Sequence, residues 1–446
     1  MTVLWTDGLI FLLLFAVVAM VFSMRGKEHL KRPLETIKNS SVGMVSLTVL
    51  LFFVAIGLLD SIHFKSSEQG AEIISALDYV ATSLREHTEK TYSAPFATTL
   101  YNKEMITTAD GATLWDYPRL QFGGQHLQDG ESVVWDVLLK GLMGFGLGVL
   151  VFFVLFGLWW ARINSRCANK SAPTLWLKPV PCTLFVLMTL SATLIYLSGF
   201  YHVLGTDKVG EDVLYQTVKS VRTGLVIGTL TTLIMLPMAI LFGILAGFFR
   251  GWVDDVIQYI YTTLNSIPSV LLIAASVLMV QVYMANHEAD FTSVVVRSDT
   301  RLLFLCLILG VTSWTGLCRL LRAETLKLRE MEYVQAAHAL GVKQHTILMR
   351  HILPNVMHIV LISVVLDFSS LVLAEAVLSY INIGVDPTTY SWGNMINGAR
   401  LEMAREPIVW WSLSAAFVFM FALVLAANLF ADVVQNAFDP RRSSQK

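Results

Sequence analysis

The chain has 446 residues, of which 55% are hydrophobic and only 15% charged, with a formal net charge of −1. This composition excludes an ordinary water-soluble domain, because the apolar residues fall in runs long enough to cross a bilayer, and the charge balance gives no support to nucleic-acid binding. Cysteine supplies no framework either. Cys306 and Cys318 would sit about 18 Å apart on one helix, beyond disulfide reach, and with Cys167 and Cys182 they read as free thiols.

In chain order, apolar runs predict membrane helices at residues 8–24, 42–59, 133–160, 180–200, 221–249, 267–284, 302–318, 356–381 and 408–431. At roughly 20 residues per span that is about nine crossings, so the expected fold class is an all-α polytopic membrane protein. No Lys or Arg precedes the first run, whereas Arg25, Lys27, Lys31 and Arg32 follow it. It therefore reads as an anchor with its N-terminus outside rather than a signal peptide. The basic stretches 25–38 and 162–178 belong in the cytoplasm by the positive-inside rule, and counting crossings puts the loop 322–355 and the C-terminal tail on that side too. Residues 60–132 then fall outside. Their apolar spacing at Ile73, Leu77, Val80 and Leu84 predicts one amphipathic helix within a small ordered cap.

Small residues add packing expectations. Gly224 with Gly228, Gly243 with Gly247, and Gly141, Gly144 and Gly148 allow close approach of neighbouring helices. No Gly-x4-Gly-Lys-Ser/Thr pattern occurs, so any energy from ATP has to come through a partner, and the histidines show no metal-ligand spacing.

The most specific stretch is the loop. Arg319, Arg322, Lys327 and Arg329 interleave with Glu324, Glu330 and Glu332, as on an exposed helix leaving the membrane. Tyr333, Val334, Ala336, Ala337 and Leu340 then form a compact apolar stripe that Gly341 is placed to close with a positive φ. Two adjacent alanines leave room for another protein's surface. Pro354 sits where the first turn of the next span tolerates a missing amide. Helix signals alone fit two readings equally, a helix lying on the membrane surface and a docking element.

The motif from Arg322 to Gly341, which includes Glu332-Tyr-Val-Gln-Ala-Ala-His-Ala-Leu-Gly341, is followed by Arg350-His-Ile-Leu-Pro-Asn355. Together they resemble the cytoplasmic signature of binding-protein-dependent ABC importer permeases, and within them the C-type subunit of the dipeptide, oligopeptide and nickel branch. Further matches fall in order. Leu204-Gly-Thr-Asp-Lys-Val-Gly-Glu-Asp-Val213 resembles the external motif before the first core helix, and Phe248-Phe-Arg-Gly-Trp-Val-Asp254 the first internal turn. Leu373-Ala-Glu-Ala-Val-Leu-Ser379, Ser391-Trp-Gly-Asn-Met395 and Asp439-Pro-Arg441 match later positions. The chain departs from the family at Gln335, where the name-giving glutamate is expected, at Glu211, where an arginine is usual, and in carrying more than the usual six spans.

The resemblance implies a type I ABC importer permease core with an N-terminal extension and inserted helices. Residues 1–60 would be two N-terminal membrane helices, 61–132 an external segment, 133–200 an additional helix pair, 201–442 the core, and 443–446 a tail. It implies that Tyr333, Val334, Gln335, Ala336, Ala337, Leu340, Gly341 and Pro354 form the element that couples to an ATPase, and that Gly205, Thr206, Asp207, Gly210 and Asp212 form the external motif. The implied partners are a second permease subunit, two ATPase subunits carrying ATP and Mg, an external substrate-binding protein and the bilayer of a bacterial inner membrane. No cofactor is expected on this chain.

Inside the spans, Asp367 and Glu375 stand out, since ionisable groups in lipid are costly. Rotated by about 80° from each other, both can face the bundle interior, as pathway-lining groups or as structural hydrogen-bonding groups. A proton-coupled secondary transporter would use these two carboxyl groups, and a membrane sensor would use residues 60–132; neither accounts for the loop motif.

Overall fold

The computed structural model describes residues 4–24, 28–65, 73–107, 113–128, 131–166, 179–288 and 293–438. The elements run α1 (Trp5–Met24), α2 (Glu28–Asn39), α3 (Ser41–Asp60), β1 (His63–Lys65), β2 (Ile73–Ser75), α4 (Ala76–Val80), α5 (Thr82–Glu86), β3 (Glu104–Thr107), β4 (Thr113–Asp116), α6 (Val133–Arg166) and α7 (Pro179–Ser198). They continue with α8 (Val213–Phe249), α9 (Trp252–Ser266), α10 (Ser269–Asn286), α11 (Val294–Arg329), α12 (Glu332–Ala339) and α13 (Gln344–Ile347). A π turn (Leu348–Ile352) leads into α14 (Leu353–Tyr380), and α15 (Trp392–Glu402) and α16 (Trp411–Phe438) complete the order. Among the described residues the fold is all-α apart from two small antiparallel strand pairs, β1–β2 and β3–β4.

Each expected membrane run falls on one of these helices. Seven of them among the described residues are long and apolar enough to cross a membrane, counting Gln344–Tyr380 as one. The other two expected spans correspond to α1 and to α11, so the count of nine is not established. The helices also outrun the apolar runs. α8 begins eight residues before the expected start at 221 because Asp212 caps it, accepting from the amides of Leu214 at 2.8 Å and Tyr215 at 3.2 Å.

The chain clusters into two compact units, residues 35–223 with 390–426, and residues 3–34, 224–389 and 427–446. In the first, α6 packs on α7 at the glycines. A Cβ at Gly144 or Gly148 would come within about 3 Å of Thr193 and Thr189 backbone, whereas Gly141 faces open space. In the second, Gly243 and Gly247 bring α8 against Cys318 and Arg322 of α11, and Gly228 seats the Phe368 ring. The glycine spacing thus marks packing within each unit. Cys182, Cys306 and Cys318 are free, and Cys167 lies outside the described residues.

One expectation is corrected and another is sharpened. Ile73, Leu77, Val80 and Leu84 do not share one helix: Ile73 is in β2, and the Ser75–Asp78 capping box starts a new helix at Ala76 that breaks at Ala81. Leu77 and Leu84 are buried while Val80 is 63% exposed. Pro354 falls in the first turn of α14 as expected, but the helical path already begins at Gln344. A proline cannot bond to the carbonyl four residues back and its ring crowds that carbonyl. Here the preceding turn widens instead, with the amide of Leu353 reaching the carbonyl of Leu348, five residues back. Ile347, Ile352, Val356 and Val360 are all buried in one cluster. On an unbroken α-helix Ile347 and Ile352 would point about 140° apart. The π turn brings them into line.

Candidate functional site

The loop 322–355 lies wholly in the second unit, and its geometry is set by α12. Val334 and Ala337 point inward, 1% and 8% exposed, and pack with Phe248, Ile257, Leu321, Ile347 and Ile352. Full burial of a side chain such as Val334 contributes about 1.5–3 kcal/mol. The expectation that both alanines lie open therefore holds only for Ala336, since a helix that buries Val334 must bury the residue three further on. Tyr333, Gln335, Ala336 and Leu340 are exposed, Leu340 to 84%.

Gly341 closes α12 as expected, with φ of 74°. Its amide donates to the carbonyl of His338 at 3.1 Å, and the Val342 amide reaches back to Ala337 at 3.1 Å. These are the paired bonds of a Schellman motif, and a side chain at position 341 would strain it. Val342 packs on the same core as Val334.

Polar groups fasten the base of α12. Arg322 grips Asp254 through two bonds, Nε to Oδ1 at 2.6 Å and Nη2 to Oδ2 at 2.7 Å, and this holds the Asp254 carboxyl below its usual range against the opposing effect of burial. Arg329 donates to the Phe248 carbonyl at 2.7 Å, and Arg250 meets Glu330 at 2.6 Å. Gln335, at the position of the missing carboxylate, donates to the Glu330 carbonyl at 3.3 Å and approaches its carboxylate at 3.4 Å. A glutamate could not donate there.

The motif 204–213 lies in the first unit and is bound into the segment between α3 and α6. Thr206 accepts from the Ser93 amide at 2.6 Å and donates to the Thr91 carbonyl at 2.9 Å, and its own carbonyl accepts from the Trp411 indole at 2.9 Å. Asp207 closes the turn by accepting from the amides of Val209 and Glu211, and also from the Gln216 side chain at 2.7 Å. Gly205 and Gly210 have φ of 73° and 82°. At Gly210 a Cβ would stand 1.8 Å from the Glu89 carbonyl oxygen, so only glycine fits. Glu211, in place of the usual arginine, accepts from Gln216 at 3.0 Å and from the Tyr390 hydroxyl at 3.3 Å.

His202 stands between two buried carboxylates, and no spacing rule singled it out. Its Nδ1 is 2.8 Å from Asp212 Oδ2 and its Nε2 lies 3.5 Å from Glu89 Oε1. Glu89 also accepts from the amides of Gln121, Phe122 and Gly123 at 2.8–3.1 Å. Burial opposes charge on both groups. The bonds and opposite charges win, holding Glu89 at about 2 and raising His202 to about 9. Lys219 makes a second bridge, 2.6 Å from Asp78 and 3.5 Å from Asp60.

In α14, Glu375 is 1% exposed and accepts from Ser379 at 2.7 Å, whereas Asp367 is half-buried. The C-terminal motif 439–441 and the tail 443–446 lie outside the described residues, as does most of the basic stretch 162–178.

A helical fold with seven helices, among the described residues, long and apolar enough to cross a membrane is that of a polytopic membrane protein. The comparisons agree: residues 239–444 match the model of the binding-protein-dependent transport system inner membrane components. The chain is 30% identical over 246 residues to the oligopeptide transport system permease protein OppC of Mycobacterium tuberculosis H37Rv, covering 55% of this chain and 78% of the relative. It is 31% identical to the glutathione transport system permease protein GsiD of Pectobacterium atrosepticum (54% and 74% covered) and to the dipeptide transport system permease protein DppC of Lactococcus lactis (54% and 64% covered). The chain belongs to the family of binding-protein-dependent transport system inner membrane components, and it is a multi-pass inner-membrane protein.

Proposed function

We propose that this chain is a permease subunit of an ATP-driven importer of peptides, with residues 201–442 as its transport core. Pairing with a second permease would complete the pathway, two ATPase subunits would bring ATP and Mg, and an external binding protein would deliver the solute. The peptide assignment follows the names of the oligopeptide, dipeptide and glutathione transport relatives. In this reading the N-terminus and residues 61–132 are outside, and the loop and C-terminus are in the cytoplasm.

The observation that carries the reading is the two-sided character of α12. Its Val334–Ala337 side is locked to the ends of α8, α9 and α11, while Tyr333, Gln335, Ala336 and Leu340 are presented outward. An ATPase surface seated on that outer face would move two long helices, α8 and α11, together with the short α9, as a coupling lever requires. Asp367 remains a candidate for the pathway wall, and Glu375 serves the helix through Ser379.

Ala336→Trp fills the outer face without touching the core. The expected result is a folded chain that retains its partners in a pull-down or loses only the ATPases, and in which ATP hydrolysis no longer drives uptake into proteoliposomes. Uptake at the wild-type ratio of solute to ATP would remove α12 from the coupling role. Uptake by the isolated chain under a proton gradient, without ATP, would sink the importer reading itself.

A further inference from the structure

A recess of about 250 Å³ opens in the second unit where α10 ends and α11 begins, lined by Gln281, Met284, Glu288, Arg297, Arg301 and Asp386 together with Ala285. None of these residues belongs to the motifs discussed above. Arg301 lies about 40 Å along α11 from the base of α12, so the recess sits at the far end of the helix that carries the coupling element.

Its chemistry is paired. Arg297 and Arg301, four residues apart, lie on one face of α11, and Arg297 is exposed. Arg301 is largely buried; it is 3.3 Å from Asp386 and reaches the Gly384 carbonyl at 3.4 Å. Both contacts are longer than the 2.7–2.9 Å or so of a closed charged pair. Arg301 Nε is buried with no hydrogen-bond acceptor among the described residues. A guanidinium left in that state calls for an acceptor. Asp386 is occupied elsewhere by the Thr388 amide at 3.0 Å and hydroxyl at 2.8 Å, and these bonds with the two arginines keep its carboxyl low despite burial. Glu288 is exposed at the rim, and Met284 supplies an apolar wall.

We infer that this recess binds a small zwitterion, its carboxylate or phosphate on Arg297 and Arg301 and its ammonium on Glu288. Two guanidiniums and two carboxylates balance, so a ligand bearing both charges leaves no uncompensated group, whereas an anion alone would crowd the carboxylates. The inference deepens the import reading and rests on it for one point, that the recess faces the side from which solute arrives. A peptide carries the required pair of charges at its ends, and a phosphatidylethanolamine headgroup carries the same pair.

The full chain, purified in maltoside micelles, is titrated with alanyl-alanine, its C-terminal amide and its N-acetyl form, with saturation-transfer NMR as the readout. The unmodified dipeptide is expected to bind, and each capped form to bind at least tenfold more weakly. Arg297→Gln, at an exposed position, is expected to weaken the dipeptide about tenfold. Glu288→Gln should weaken it while leaving the N-acetyl form unchanged. Displacement of the dipeptide by added phosphatidylethanolamine, but not by phosphatidylglycerol, supports the site and assigns it to lipid; no displacement assigns it to solute. Equal binding of all three dipeptides, no binding of any, or indifference to Arg297→Gln overturns the inference. Dipeptide binding that survives in a chain shown not to support ATP-driven uptake would retain the site and discard the importer.

Discussion

Residues 73–128 grip the 204–213 motif and the adjacent His202 through buried charge, whereas α12 is held by two apolar side chains, by the Arg322–Asp254 pair at its base and by an exposed Arg250–Glu330 pair. In the first region Glu89, His202 and Asp212 are each no more than 6% exposed or nearly so, and three backbone amides complete the shell. In the second, the Arg250–Glu330 pair leaves both partners about half exposed. Buried charges are intolerant of loss because each one left behind is stranded, while an exposed pair adds little. The first region is thus built to stay in one arrangement. The second is anchored on one face and left free on the other, as suits an element that meets a partner.

The contrast is broken most directly at Glu89. Glu89→Ala leaves three buried amides without their acceptor and His202 with Asp212 alone, and is expected to destabilise the first unit by on the order of 3–5 kcal/mol, read as a loss of protease resistance between residues 73 and 128. If Glu89→Ala unfolds no earlier than wild type, the clamp is not what holds this segment.

A smaller effect should come from pH alone. His202 is raised from 6.5 to about 9, so its contribution is complete below 6.5 and is lost as pH rises through about 9. Glu89 is depressed from 4.5 to about 2, so its contribution is complete above 4.5 and is lost as pH falls toward 2. Protease resistance of this segment should therefore be greatest between pH 4.5 and 6.5, and His202→Gln should erase the alkaline fall. An unchanged alkaline limb in that variant would assign the loss to another group.

The smallest effect is expected at Arg250→Ala. It removes an exposed pair and should cost less than about 1 kcal/mol in thermal unfolding, less still in high salt. A larger cost would show that the exposed pair itself fastens α12, and the contrast between the two regions would fail.

What could be read from residue order follows the same divide. Gly341 announced itself because a helix stop and a positive φ are local properties, and the nine apolar runs each found a helix because burial in lipid is written residue by residue. The inward turn of Ala337 was not legible, since Val334, Ala336 and Ala337 are all small or apolar and only the core beneath α12 chooses between faces. His202 was hidden for a different reason. Its partner Glu89 lies 113 residues away, and an isolated histidine next to a motif carries no sign of a carboxylate so distant. Glu211 departs from the family's arginine, and residue order does not show that Gln216 and Tyr390 stand beside it as donors.

The π turn at Leu348–Ile352 has a consequence for changes in chain length. It stores one residue more than an α turn would hold, so the buried positions step by five from Ile347 to Ile352 and by four from there to Val356 and Val360. Removing one residue inside that turn would restore an even step of four and keep every buried side chain on its stripe. The same deletion one turn later, within α14, would rotate one part of the stripe about 100° away from the other. A helix that otherwise tolerates no slip therefore carries a single place where its length is negotiable, directly beside Pro354, whose ring demands the extra room.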